Sequence, residues 1–226
     1  MKRVVLVMGL LSLAACGPAP QATPESAEPV SSALPTVVAT EAPAGDYKLD
    51  ASHTSVTFRV NHTGFSEYTG GFDTVTASLV LDPINPEKSS LKADIDVRSL
   101  DIPAPPKGFL NDLMGDLWFD ASKHPRITFV SNGIVRTGAN TATVKGDLTL
   151  RGITKPAELE VTFNGGYAGM AVYDPNGRVG FSATGKIKRS DYGMVYGIPE
   201  PGSKIGVGDE VTILIETEFT GPPLAN

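Results

Sequence analysis

The sequence predicts an all-β domain: an antiparallel sheet of about eight short strands, curled into a barrel or packed as a two-sheet sandwich. Three observations predict this. From Asp46 onward apolar residues recur with period two, turn signals separate the alternating runs, and one stretch alone has helical spacing. In the first run Val56, Phe58, Val60 and His62 share a face, with Thr57, Arg59 and Asn61 opposite. The next strands pair Val75, Ala77, Leu79 and Leu81, then Leu91, Ala93, Ile95 and Val97, then Ile127 and Phe129. The remaining four carry Val144, Leu148 and Leu150; Leu159, Val161 and Phe163; Val179, Phe181, Ala183 and Ile187; and Val211, Ile213, Ile215 and Phe219. Each run has one wet and one dry face, the pattern of a half-buried strand. Asp82-Pro83, Asn132-Gly133, Asn164-Gly165-Gly166 and Asp174-Pro175-Asn176-Gly177 are expected as the turns between strands. Closure into a barrel would remove the adhesive edges, but periodicity alone does not choose between barrel and sandwich.

Phe109, Leu110, Leu113, Met114, Leu117 and Trp118 recur instead at helical spacing, with Asn111, Asp112 and Asp116 on the other side. This predicts a short amphipathic helix between strands, whose apolar face covers one end of the sheet or plugs its core.

The N-terminus has a different character. Lys2 and Arg3 precede an apolar stretch, Val4 to Leu13, too short to span a bilayer, and the small residues Ala14 and Ala15 follow. This is the layout of a secretory signal. Cys16, the chain's single cysteine, ends the run Leu13-Ala14-Ala15-Cys16, which resembles the lipobox of bacterial lipoproteins. The resemblance implies cleavage before Cys16, acylation of its sulfur and attachment to a membrane. Gly17, rather than Asp, resembles the pattern that directs such proteins to the outer membrane, facing the periplasm. Residues 1–15 are therefore expected to be the signal and 16–45 a Pro- and Ala-rich tether, interrupted by Pro18, Pro20, Pro24, Pro29, Pro35 and Pro43. The domain is expected over 46–221. Its core must hold without disulfides, since no second cysteine exists. The net charge of -6 and the lack of a basic stripe argue against nucleic acid as a partner.

Four ordered runs resemble the YceI family of exported, lipocalin-like proteins. They are Leu49-Asp50-Ala51-Ser52-His53-Thr54-Ser55-Val56-Thr57-Phe58, followed by His62-Thr63-Gly64 and Gly70-Gly71-Phe72; Trp118-Phe119-Asp120 through Phe129; Gly146-Asp147-Leu148-Thr149-Leu150-Arg151-Gly152 through Pro156; and Lys188-Arg189-Ser190-Asp191-Tyr192-Gly193-Met194. The resemblance implies an eight-stranded antiparallel barrel with the helix near one end. It also implies a long lumen for an isoprenoid chain, such as a quinone tail or a polyprenyl lipid, stored or carried in the cell envelope. Family members usually carry a basic residue and a histidine ahead of the aromatic-Phe-Asp run. Here Asn111 to Asp116 stands there, beside an unusual loop with Pro103, Pro105 and Pro106. Both departures fall at the expected cavity mouth.

The residues expected to line the lumen are Phe58, Val60, His62, Phe72, Leu79, Ile95, Trp118, Phe129, Leu148, Phe163, Phe181 and Ile213. Small inward residues, Ala77, Ala93, Ala183, Gly146 and Gly185, would leave room beside the phenylalanines. His62 is in phase with the inward face, where it would touch a headgroup or satisfy a buried partner. His53 is expected to fix a turn with Asp50. With three histidines, no close His pair and no spare cysteine, no metal or other cofactor is expected. No nucleophile elbow or phosphate-cradling loop occurs, and Asp50, His53 and Ser55 lie too near in sequence for a convergent triad. The chain is read as a binding protein, not an enzyme. The alternatives are a filled, ligand-free interaction module of the envelope and an enzyme acting on a bound lipid; a homodimer is compatible with either.

Overall fold

The computed structural model describes residues 35–224; the signal, Cys16 and the tether up to residue 34 lie outside the described residues. The strands are β1 (Gly45–His62), β2 (Ser66–Phe72), β3 (Val75–Leu81), β4 (Ser90–Asp96), β5 (Leu100–Asp101), β6 (Arg126–Arg136), β7 (Thr141–Leu150), β8 (Ile153–Tyr167), β9 (Asn176–Lys188) and β10 (Val207–Pro223), with one α-helix, α1 (Phe109–Met114). All neighbours pair antiparallel. The ring runs β1, β3, β4, β6, β7, β8, β9, β10 and returns to β1. That is an eight-stranded closed barrel, and closure decides against the sandwich. Two ring positions are broken in two: β2 continues β3 along the far half of β1, and β5 continues β4 by pairing with β2.

The strands run between two unlike ends. One carries α1, the β1–β2 and β7–β8 turns and the segment before β10. The other carries Tyr47, the β6–β7 turn and the β8–β9 loop. At the tyrosine end, residues 35–44, which the sequence assigns to the tether, lie against the barrel. The Val38 amide donates to Ala139, Thr40 Oγ1 to Gly166 O, and Ala42 is only 3% exposed.

Two predicted turns are β-bulges instead. Asn132-Gly133 lies inside β6, where the register slips between Ser131 and Gly133. Asn164-Gly165 lies inside β8, with Gly165 at φ +146°. A bulge and a tight turn both recruit glycine, so local sequence does not separate them. The helix is also shorter than predicted. Gly115 ends it, donating to Asp112 O with extended ψ, so Leu117 and Trp118 sit in the following turn and Leu117 is 54% exposed. Helix α1 rests on Leu100 and Ile102, burying Leu113 against them and packing Phe109 and Met114 alongside.

Candidate functional site

The inward faces enclose a cavity of about 560 Å³ whose wall is almost wholly carbon. Nine of the expected lumen residues line it: Phe58, Val60, His62, Phe72, Ile95, Trp118, Phe129, Leu148 and Ile213. Leu79, Phe163 and Phe181 do not. They line a second chamber of about 170 Å³ toward the tyrosine end. The physical reason is height along the barrel: the three pack around Phe219 toward the tyrosine end, with Phe163 tilted against Phe181 at 5.5 Å and Phe181 edge-on to Phe219 at 6.1 Å. Leu91, Leu159, Ile215, Thr217 and Phe219 belong to both linings, so the chambers lie in series.

Space comes from alanines rather than glycines. Ala77, Ala93 and Ala157 border the main chamber and Ala183 the second. Gly146 and Gly185, expected to leave room, are occupied by their neighbours. A Cβ at Gly146 would lie 2.4 Å from the Phe129 ring, and one at Gly185 would lie 2.8 Å from Leu159.

The cavity reaches the surface at the helix end, where His62 is exposed and its ring lies 6.2 Å from Tyr68. Phe109, Leu113, Trp118 and Val207 stand around it. Exposed apolar side chains ring this end: Phe65 is 90% exposed and Ile205 83%, and Val195 and Tyr196 are also exposed.

Beneath the rim sits Arg189, only 3% exposed. Its Nε donates to Gly208 O, Nη1 to Met194 O and Nη2 to Val207 O, each at 2.8 Å, and its guanidinium lies 5.2 Å from the Trp118 ring. Burial pulls its pKa below the usual arginine value, against the pull of Asp209. Arg189 thus stitches the end of β9 to the start of β10 and fixes Trp118, which stacks edge-on against Tyr196 at 5.7 Å. By parity Arg189 continues the inward face of 183, 185 and 187. Leu113, Ile102 and Met194 also line the lumen; they reach it from the helix and from connecting segments, which strand parity does not cover.

At the tyrosine end the polar groups lie outside the barrel. Arg178 bridges Asp50 and Asp174, each at 2.5 Å, and lies 3.6 Å from Glu218. His53 Nδ1 is 3.0 Å from Asp50 Oδ2, the expected turn contact. Ser52, Arg178 and His53 together hold the Asp50 carboxyl well below the usual range. Asp50, His53 and Glu218 bring ligand atoms within 4.8 Å of one another. Arg178 supplies one positive charge there, shared among Asp50, Asp174 and Glu218. Asp174 accepts from Arg178 and from Tyr167 Oη, the latter at 2.7 Å.

These features can be placed among known proteins. The YceI-like domain family matches residues 47–219. The chain belongs to that family. A UPF0312 protein of Vibrio cholerae is 36% identical over 155 residues, covering 67% of this chain and 78% of the relative. Burkholderia cenocepacia BcnA is similar in structure, with TM-score 0.64 and 28% identity over 75% of this chain and 98% of that one. A polyisoprenoid binding domain from Saccharophagus degradans, implicated in plant cell wall breakdown, shares the fold at TM-score 0.56 and 14% identity, over 78% and 98% of the two chains.

Proposed function

We propose that this YceI-like barrel holds an isoprenoid chain, a quinone tail or a polyprenyl lipid, and stores or carries it in the cell envelope. The observation that carries the reading is the carbon-walled cavity of about 560 Å³, open at one end and prolonged by a second chamber. That volume lies within the range of small-molecule sites. A wall almost wholly of carbon suits a chain of methyl branches and double bonds. Each buried CH2 is worth about 0.8 kcal/mol, before the costs of ordering the chain and of lost translational freedom. The Saccharophagus domain is described as binding polyisoprenoids, so this architecture is compatible with such a guest. The filled-core alternative needs an interior occupied by the protein's own atoms, and the cavity disfavours it. The apolar rim suits uptake from a bilayer, and acylated Cys16 would keep the domain beside one, facing the periplasm at the outer membrane.

The test is organic extraction and mass analysis of the protein purified from its native host membranes without detergent. An isoprenoid is expected in the extract. Ala93→Phe, which fills the main chamber, is expected to lower its yield more than tenfold while leaving the fold intact. An empty wild-type extract, or equal loading of both proteins, overturns the reading. Cys16→Ser, run alongside, reports whether loading needs membrane attachment.

A further inference from the structure

The apolar side chains around the mouth belong to one connected face. Thr63 N donates to Gly206 O at 2.8 Å, and the Lys204 chain lies over Gly64, 3.0 Å from where a Cβ would stand. The β1–β2 turn that carries Phe65 is thereby tied to the stretch that carries Ile205. Val207 N donates to Gly197 O at 2.8 Å, which folds that stretch back beside Val195 and Tyr196, and Tyr196 meets the Trp118 ring edge-on. Leu117, next to Trp118, is exposed as well. Phe65, Leu117, Val195, Tyr196 and Ile205 thus come from three separate segments held in register around the opening. At the tyrosine end the exposed apolar residues sit on two separate connections. Met170, Val172 and Tyr173 ride on the β8–β9 loop, which closes on itself through Met170 N to Asp174 O and Tyr173 N to Met170 O. Ile84 lies in the β3–β4 connection, and β3 and β8 are not neighbours in the ring.

A fixed apolar face around the opening of a carbon-walled cavity is surface that water disfavours. Its surrounding charge is mixed: exposed Lys107 and Lys204 stand with exposed Glu67, Asp112, Asp116 and Glu200. A rim without an excess of cations gains little from anionic headgroups. Its aromatic side chains suit the boundary between headgroups and acyl chains, where one edge of a ring is wet and the other dry. The acyl anchor by itself would not bring this face to a membrane. The chain enters the described residues at Pro35, whose carbonyl accepts from Arg136 Nη2 at the tyrosine end, opposite the mouth. A bilayer that meets the mouth is therefore held by the rim itself.

We propose that the helix-end rim docks on a zwitterionic bilayer, with Phe65 and Ile205 entering it, so that the bore opens among acyl chains rather than into water. For its purpose this rests on the lipid-carrier reading; it adds the partner surface and the residues that grip it. An apolar chain could then pass between bilayer and lumen without crossing water, which would otherwise oppose every exposed CH2.

Trp118, the chain's one tryptophan, stands at the mouth and reports docking directly. The full chain carrying Cys16→Ser, which leaves no site for the anchor, is titrated with vesicles of phosphatidylcholine brominated in its acyl chains. Trp118 is expected to be quenched. Phe65→Ser with Ile205→Ser, both at exposed positions, is expected to raise the lipid concentration for half-quenching at least about tenfold. Val172→Ser with Tyr173→Ser strips apolar surface from the other end and is expected to leave the titration as it was. Adding phosphatidylglycerol to the vesicles is expected to bring no tighter binding. An unquenched Trp118 overturns the proposal, as does equal quenching in the Phe65 and Ile205 pair or an equal loss in the Val172 and Tyr173 pair. Tighter binding to phosphatidylglycerol overturns the zwitterionic assignment. Quenching that stays with the protein once the vesicles are spun out places the bromine in the lumen and overturns docking. This failure is distinct from that of the lipid-carrier reading: extraction reports what the lumen holds, and quenching reports where the rim sits.

Discussion

The two ends of the barrel expose similar side chains and hold themselves together differently. Phe65, Val195, Tyr196 and Ile205 are exposed at the helix end; Ile84, Met170, Val172 and Tyr173 are exposed at the tyrosine end. Surface apolarity does not tell them apart. The difference lies beneath. At the tyrosine end a large side chain, Tyr47, is 1% exposed and packs with Ala42, Leu79, Leu81, Val179 and Phe219, while the charges stay outside on Arg178. At the helix end the apolar residues stand around an opening, and a charge, Arg189, is turned inward to hold it. The first end is closed by burial. The second is propped by hydrogen bonds, which leaves its bore free.

The largest expected effect breaks the burial. Tyr47 lies against Gly221, where a Cβ would come within 2.1 Å of its ring, and its hydroxyl donates to Pro43 O at 2.7 Å. Tyr47→Ala removes a whole ring from a packed site and is expected to cost about 3–5 kcal/mol in urea unfolding, by analogy with other large aromatic truncations. Tyr47→Phe keeps the ring and loses one hydrogen bond, about 1 kcal/mol. If Tyr47→Ala cost no more than Tyr47→Phe, the ring would not be what closes this end.

How far the sequence revealed these two ends follows from the same physics. The strands were legible because alternation is dictated by burial of one face, and seven of the nine expected residues that line the main chamber lie on those alternating runs; Trp118 came from the helical stretch and Phe72 from a run that resembles the family. Closure into a ring was not legible from periodicity, since β1 meets β10 across the whole length of the domain. Leu79, Phe163 and Phe181 have the right parity, but parity gives the face and not the height along the bore. The glycines of β6 and β8 read as turns because a bulge uses the same residue for the same freedom. Arg189 shares the inward parity of 183, 185 and 187, but parity does not announce that a charge will be buried. The bulge of β1 over Ala51–Thr54, opposite Thr217 alone on β10, is announced by no period.

The next effect tests the prop. Arg189→Met keeps length and bulk but strips the donors from Gly208, Met194 and Val207. Leaving those carbonyls unpaired beside the bore is expected to cost about 3 kcal/mol. Arg189→Lys is expected to recover little, because one ammonium cannot reach the three positions of a planar fork. The sharper readout is local: the fluorescence of Trp118, the chain's one tryptophan, should shift and broaden in Arg189→Met and stay unchanged in Tyr47→Phe. Unaltered fluorescence and stability in Arg189→Met would mean that the helix end is also held by packing alone.

The smallest effect separates the ends by pH. Asp50 is held below the usual carboxylate range by Ser52, Arg178 and His53, and Asp174 by Tyr167 and Arg178. Each folded value is depressed. The stability these groups contribute is therefore complete above their unfolded values, about 4, and is lost as pH falls through the lower folded ones. At the helix end Arg189 stays charged throughout that window; the depressed carboxylate there, Asp120, leans first on the exposed Lys123. Acid is thus expected to loosen the tyrosine end first. Between pH 6 and pH 3 the Val38 amide, bonded to Ala139, should lose more hydrogen-exchange protection than the Val207 amide, bonded to Gly197. Arg178→Gln should flatten that difference by removing the cation shared by Asp50 and Asp174. Equal loss at both amides, or a difference that survives Arg178→Gln, would show that the outer charge network does not secure the tyrosine end and that its closure rests on the buried ring of Tyr47 alone.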